Sequence, residues 1–256
     1  MIRVGTSGWQ YRDWRGRFYP EEMPQRAWLA HYATRFDTVE VNNSFYRLPE
    51  ISTFQRWRRE TPSGFLVAVK ASRYLTHIKR LREPSEPLDR LLARAGALGD
   101  ALGPVLFQLP PNFTVDLPRL RDLLDAIGGR VRAAVEFRHA TWMRDDVLAA
   151  LDAAGAALVL ADRAGDRSDP IVTGGWSYLR FHQGSRLRSG YRTDVLRRWA
   201  DRIVELPADD VFVYFNNDPG AAAPRDADRM IEMLRRRGVT VSTGADHATP
   251  RSDARR

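Results

Sequence analysis

The chain has 256 residues, enough for one large hydrophobic core, and α/β barrels of this length usually form a single domain. Its 40 Lys and Arg outnumber 32 Asp and Glu, a formal charge of +8 that favours anionic ligands such as phosphates, carboxylates or nucleic acid, or else a general surface bias. The absence of Cys excludes disulfides, thiolate metal sites and cysteine nucleophiles and fits a reducing, cytoplasmic setting; no apolar run approaches the roughly 18 residues of a membrane helix, so no membrane is expected.

Met1-Ile-Arg-Val enters a strand directly, without a signal-like leader. Ile2 to Trp9 begins apolar and ends polar, and seven later segments repeat that layout. An aromatic, Arg-bearing loop from Trp9 to Pro20 follows, and then Ala27, Leu29, Ala30, Tyr32, Ala33 and Phe36 form a helical stripe. The second strand, Thr38-Val-Glu-Val-Asn-Asn-Ser-Phe-Tyr46, places Glu40, Asn42 and Ser44 on one face by the period of two. Ser52 is read as the cap of a helix through Glu60 that buries Phe54 and Trp57.

Phe65 to Ser72 is the third strand, and the basic stretch Ser72–Arg82 after it is a lid over an anion or a solvated loop. Leu88, Leu91, Leu92, Ala95, Leu98 and Leu102 give the clearest amphipathic helix. Strands at Pro104–Pro111, Arg132–His139, Ala157–Asp162, Trp176–His182 and Asp210–Asp218 alternate with helices at Leu117–Ile127, Asp145–Ala154, Thr193–Val204 and Asp226–Arg237. Only turn-rich sequence links Asp162 to Trp176, so a short or irregular crossover is expected after strand six. A barrel domain over residues 1–240 would leave 241–256 as a disordered tail.

Eight strands, mostly apolar on both faces and separated by helices, indicate a single-domain TIM-like (β/α)8 barrel. No Gly-x-Gly-x-x-Gly or Walker sequence follows a strand, which weakens an open nucleotide-binding sheet. In such a barrel the active site lies at the C-terminal ends of the strands. Alternation there selects Ser7, Glu40, Asn42, Lys70, Gln108, Glu136, Arg138, Asp162, Arg180, His182, Tyr214 and Asn216 as a polar ring. The ring is a functional site or an ion-pair lattice that closes the barrel, since buried charges must be paired or hydrogen-bonded.

Gly5-Thr-Ser-Gly-Trp9, Val39 to Tyr46, the Lys70 strand end, Gln108-Leu-Pro-Pro111, Glu136-Phe-Arg-His139 with Trp142, Arg180-Phe-His182 and Tyr214-Phe-Asn-Asn-Asp218 occur in this order. Together they resemble the YecE-like family, domain of unknown function seventy-two, over about residues 2 to 238. The resemblance implies a TIM-barrel-like fold and names no reaction. The chain departs from the family pattern at Gln183, which precedes Gly184, and at Arg225-Asp-Ala227.

The ring suggests an enzyme acting on a small phosphorylated or carboxylated substrate by hydrolytic or proton-transfer chemistry. Arg138 and Arg180 would clamp the anion, with Glu40 and Glu136 as acid and base and His182 as another proton carrier. Lys70 is one of only two lysines, the other being Lys79; it would form a Schiff base or neutralise Glu40 or Glu136. Glu40 and Glu136 also admit a two-carboxylate glycosidase, decided by their separation. The possible metal ligands Glu136, His139, Asp162 and His182 are opposed by Arg138 and Arg180, so no metal site is assigned, and the sequence names no cofactor. His31 and His77 read as ordinary helix or loop residues.

Two further classes stay open. Trp9, Tyr11 and Trp14 interleaved with Arg12, Arg15 and Arg17 suit nucleic-acid stacking, or pack with Phe18 and Tyr19 as a mini-core under the loop. A non-catalytic anion-binding barrel would use the same pocket.

Overall fold

A computed structural model of the chain describes residues 1–162, 170–182 and 190–247. Its strands are β1 (Ile2–Ser7), β2 (Thr38–Val41), β3 (Leu66–Lys70), β4 (Leu102–Gln108), β5 (Ala133–Glu136), β6 (Ala157–Asp162), β7 (Trp176–Phe181), β8 (Asp210–Phe215) and β9 (Val241–Ser242). Neighbours from β2 through β8 pair in parallel, β8 pairs with β1, and the contact of Thr6 and Ser7 with Val39 and Glu40 closes an eight-stranded barrel. β9 runs beside the start of β1 at Ile2 and Arg3. Gly5 is needed at the seam, because a Cβ there would meet the Thr38 carbonyl oxygen at 2.2 Å.

The helices are α1 (Trp28–Tyr32), α2 (Asn43–Tyr46), α3 (Ile51–Glu60), α4 (Ser85–Ala95), α5 (Leu117–Ile127), α6 (Asp145–Ala153), α7 (Thr193–Glu205) and α8 (Ala222–Arg235). Each longer one buries a stripe at helical spacing: Leu88, Leu91 and Ala95 on α4, Leu196, Ala200 and Ile203 on α7. On α5 the Asp116 carboxylate accepts from the Arg119 amide at 3.2 Å, and Gly128 ends the helix in the left-handed conformation. Between the sheet and this outer layer lies the main core. The barrel interior is a second core of Ala68, Leu106, Ala134, Val159, Tyr178 and Tyr214 with their neighbours.

Some boundaries differ from those expected. Glu50, not Ser52, precedes α3, and no side chain caps it. The Leu88 stripe breaks at Ala95 into a 3-10 turn over Gly96–Ala101, and Leu102 already belongs to β4. Ordered structure runs past the expected boundary at 240, through β9 and a 3-10 turn at Gly244–His247, because β1 offers an unpaired edge below its contact with β2. Residues 170–175 between β6 and β7 carry a bridge from Thr173 to Trp176 and no helix. The rest of that crossover (163–169), Gln183 with Gly184, and residues 248–256 lie outside the described residues.

Candidate functional site

Side chains alternate faces along a strand, so the interior residues of the barrel core set the phase for the polar ones above them. Ala68 places Lys70 inside, Leu106 places Gln108, Ala134 places Glu136, and Tyr178 places Arg180. Tyr178 and Tyr214 pack their rings at 5.0 Å, tilted by 40°, as a floor, and Tyr214 Oη lies 2.7 Å from Thr38 Oγ1, so Tyr214 sits beneath the mouth.

Directly on that floor lies a closed ion-pair lattice. Arg180 donates from Nε to Glu40 Oε2 at 2.9 Å, from Nη2 to Glu40 Oε1 at 2.8 Å and from Nη1 to Glu136 Oε2 at 2.7 Å. Ser7 Oγ and Tyr178 Oη each donate to Glu40 at 2.7 Å, filling its remaining acceptor positions. Burial would push both carboxyls up, but the guanidinium beside them wins: Glu40 is held below the usual carboxylate range and Glu136, which Arg138 also faces, at about 2. Arg180 is raised in turn by the two carboxylates against its own burial. Two carboxylates this firmly ionised do not trade protons near neutral pH; Glu40 accepts at both oxygens, Glu136 only at Oε2, and Arg180 has no edge left for a ligand. The expected acid/base pair and one arm of the expected anion clamp are therefore committed to one another.

Beside the lattice the mouth is open and cationic. Arg138 lies 2.5 Å from Glu136 Oε1, with an angle short of a hydrogen bond, and keeps 32% of its side chain exposed. His182 Nε2 lies 3.2 Å from Arg180 Nη1 and 3.4 Å from Arg138 Nη2. Guanidinium nitrogens only donate, so Nε2 must accept and the ring proton sits on Nδ1. The Asn216 amide lies 3.0 Å from Nδ1 and must turn its oxygen toward the ring. Burial and the two guanidiniums hold His182 at about 4, so it is neutral.

Lys70 Nζ donates to Gln108 Oε1 at 2.8 Å and rests 4.3 Å from the Phe45 ring. Gln108 Nε2 in turn donates to Glu136 Oε2 at 2.8 Å. Lys70 thus neutralises neither Glu40 nor Glu136 directly, contrary to the simpler expectation. Burial first, then Arg180 and Arg138, bring its ammonium down to about 8. His77 is also nearer the site than its loop position implied: its ring meets Phe45 at 4.9 Å, and burial together with Lys70 lowers it to about 4. It reaches there on a π-helical turn, Tyr74–Ile78, within the basic stretch after β3.

On the β1–β2–β8 side, Asn42 Oδ1 is buried and accepts nothing, next to a cavity of about 170 Å³ lined by Gly8, Trp9, Gln10, Tyr11 and Asn43. Asp218, which sequence reasoning passed over, stands with Tyr11, Asp13 and Glu40, and its Oδ1 also accepts nothing. The Tyr11 hydroxyl donates its single proton to Ser7 O at 2.6 Å, and the Trp14 indole holds the Asp218 carbonyl at 3.0 Å. Burial, with Asp13 and Glu40 near, pushes Asp218 up to about 7. The signal for it was the Asn-Asn-Asp run ending the eighth strand segment.

Asp162 does not join the ring. Ala157 and Val159 point inward, so Asp162 faces the helices, where it accepts from Tyr191 Oη at 2.7 Å. His139 is turned aside as well, bonded through Nδ1 to Thr141 at 2.9 Å, and among the described residues no three His, Asp or Glu side chains converge as metal ligands. Trp9 and Trp14 are buried; Trp14 packs on Tyr11, Phe18 and Tyr19 as a mini-core, which removes both tryptophans as stacking platforms. A larger cleft of about 370 Å³ opens at Arg138 and runs over the outer face of β6 between Phe137, Leu160 and Trp199, where no helix follows β6 among the described residues. None of the helices among the described residues is long and apolar enough to cross a membrane.

Comparison with known proteins agrees with this architecture. The UPF0759 protein YunF of Bacillus subtilis is 28% identical over 91% of this chain and 95% of its own length. The crystal structure of a DUF72 family protein from Thermotoga maritima superposes with a TM-score of 0.79 at 28% identity, covering 92% of this chain and 99% of that one. One from Enterococcus faecalis gives 0.75 at 20% identity, covering 92% and 96%, a likeness of fold. The family model described as "Protein of unknown function DUF72" matches residues 3–252, and the chain belongs to that family.

Proposed function

We propose that the barrel mouth binds a small phosphorylated or carboxylated substrate at Lys70 and Arg138 and transfers a proton near neutral pH, through Lys70 and Asp218 instead of Glu40 and Glu136. The observation that carries this reading is the charge at the mouth. Arg180, Arg138 and Lys70 face the carboxylates of Glu40 and Glu136, while His182 is neutral, so with Asp218 protonated one positive charge stays in excess beside a partly open guanidinium. A buried excess charge is costly, and an anion entering the mouth would relieve it. Lys70 at about 8 and Asp218 at about 7 both titrate where a proton carrier operates efficiently.

Thermal unfolding against inorganic phosphate, sugar phosphates and sugar acids tests the reading. A ligand at about 100 times its Kd stabilises by roughly 2.7 kcal/mol, about 5 to 10 °C for a chain of this size. The shift should vanish in folded Arg138→Ala. If no anion moves the wild type, or Arg138→Ala responds equally, the site is not there.

A second reading keeps nucleic acid as the ligand, on different residues from those first considered. Tyr46 is 82% exposed and Tyr74 47% exposed at the rim, beside Arg47 and Arg73. Stacking on these rings would give single-strand binding that weakens steeply with salt and is lost in Tyr46→Ala with Tyr74→Ala.

A further inference from the structure

We infer that Lys70 is an imine-forming nucleophile toward a small anion that carries an aldehyde or ketone, and that Gln108 is the positioning residue that keeps its amine free. The inference rests on the anion site proposed above and names the substrate class for it.

The geometry around Gln108 is the starting point. Its Nε2 donates to Glu136 Oε2 at 2.8 Å, which turns its Oε1 toward Lys70, where it accepts from Nζ at 2.8 Å. A neutral amide therefore stands between the amine and the nearest lattice carboxylate. Both carboxylates of the lattice are taken by guanidiniums, and among the described residues Lys70 has no carboxylate within ion-pair distance. The Phe45 ring lies beneath Nζ, its centroid 4.3 Å away. A buried ammonium with one neutral acceptor and two guanidiniums nearby readily gives up its proton.

Residue choice supports the same reading. The chain uses Arg for its cations everywhere except at Lys70 and Lys79. Were position 70 needed only for charge, Arg would serve and would stay charged; an amine is the cationic side chain that can become a nucleophile. Lys79 supplies an internal contrast, since it is paired with Glu83 at 2.7 Å and its ammonium is held above the usual range by that bond.

The step balances without a further reactant. The Nζ lone pair forms the C–N bond as the carbonyl π pair moves onto oxygen. One amine proton and one solvent proton pass to that oxygen, which leaves as water, and the iminium nitrogen keeps the second amine proton. Arg138 would hold the anionic group of the same molecule.

Having only two lysines makes the test clean. The full-length protein is treated with glyoxylate or glycolaldehyde phosphate, with glycolaldehyde as neutral control, and sodium cyanoborohydride to reduce any iminium. Peptide mass mapping across pH 6 to 10 then compares Lys70 with Lys79. Lys70 should react at least about tenfold faster than Lys79 at pH 8, with its profile half-maximal near 8. Gln108→Glu should move that profile upward toward that of Lys79, whereas Gln108→Met should not raise it; a merely structural Gln108 would leave the profile in place. Arg138→Ala should slow the anionic aldehydes about tenfold and leave glycolaldehyde unchanged. Equal reactivity of Lys70 and Lys79 toward every aldehyde overturns the inference, and a phosphate-induced thermal shift in the same sample would leave the anion site standing. Fast labelling by glycolaldehyde with no preference for the anionic probes and no phosphate shift would keep the nucleophile and remove the anion site.

Discussion

Arg180 and Arg138 are the same side chain, two strands apart in the barrel, and both face Glu136, yet they do different work. Arg180 is 1% exposed and spends all three nitrogens on Glu40 and Glu136; Arg138 is 32% exposed and has one carboxylate contact that falls short of a good hydrogen bond. Depth decides between them. At the level of Ser7, Glu40 and Tyr178 every polar atom of the lattice must find a protein partner, because water does not reach it. One layer higher a guanidinium is left partly unpaired, which a structural lattice does not need and a binding site does.

The largest expected effect breaks the deeper arginine. Arg180→Ala leaves Glu40 and Glu136 buried without countercharge and should cost about 3 to 5 kcal/mol, read as a fall in the denaturation midpoint. Restoring most of that stability with Glu40→Gln and Glu136→Gln in the same chain would confirm that orphaned charge, not lost volume, is responsible. A midpoint shift under about 1 kcal/mol in Arg180→Ala would mean that the lattice is wet or differently paired.

Next comes a pH effect at the open edge. Lys70 is lowered from its ordinary value to about 8, so between about pH 8 and 10.5 the unfolded chain binds the proton that the folded chain has released. Stability should therefore rise with pH across that window, by roughly 3 kcal/mol at most, and Lys70→Met should remove the rise. An unchanged difference curve between wild type and Lys70→Met would place the amine in water.

The smallest effect is expected at Arg138. As a partly exposed ion pair it should contribute within about 1 kcal/mol to stability, so Arg138→Ala folds normally and reports on ligand binding alone. A loss comparable to that of Arg180→Ala would erase the contrast between the two arginines.

Most of the barrel was legible because its signal is local. The barrel strands read as apolar runs and the longer helices as stripes at 3.6-residue spacing, and α5 fell at Leu117–Ile127 as its stripe and Gly128 imply. The exception is Asn43–Tyr46, read as the end of the second strand but folded as α2 after β2 stops at Val41, so that Ser44 does not share a strand face with Glu40. Reading the ring succeeded wherever an unambiguous polar residue set the phase, as at Glu40, Lys70 and Arg180. It failed at Asp162 because Ala157-Leu-Val-Leu-Ala161 is apolar on both faces, as strands buried between two layers are, and such a run does not say which residues point inward. Asp218 and His77 were missed for another reason: they reach the mouth through the loops after β8 and β3, where no period operates.

The sequence by itself therefore determined the architecture and the strand-borne part of the mouth other than at β6, since periods of 2 and 3.6 and residue type are properties of the chain read one element at a time. Only the tertiary structure decided how that inventory is divided. Strand order places β7 three places from β2 and two places from β5, so that Arg180 reaches both Glu40 and Glu136 through the interior and takes them out of acid/base chemistry. The pairing of β4 with β5 sets Gln108 beside Glu136 and so puts an amide, not a carboxylate, against Lys70. Coulomb energy and hydrogen bonding depend on distance and burial in space, which a linear spacing does not carry.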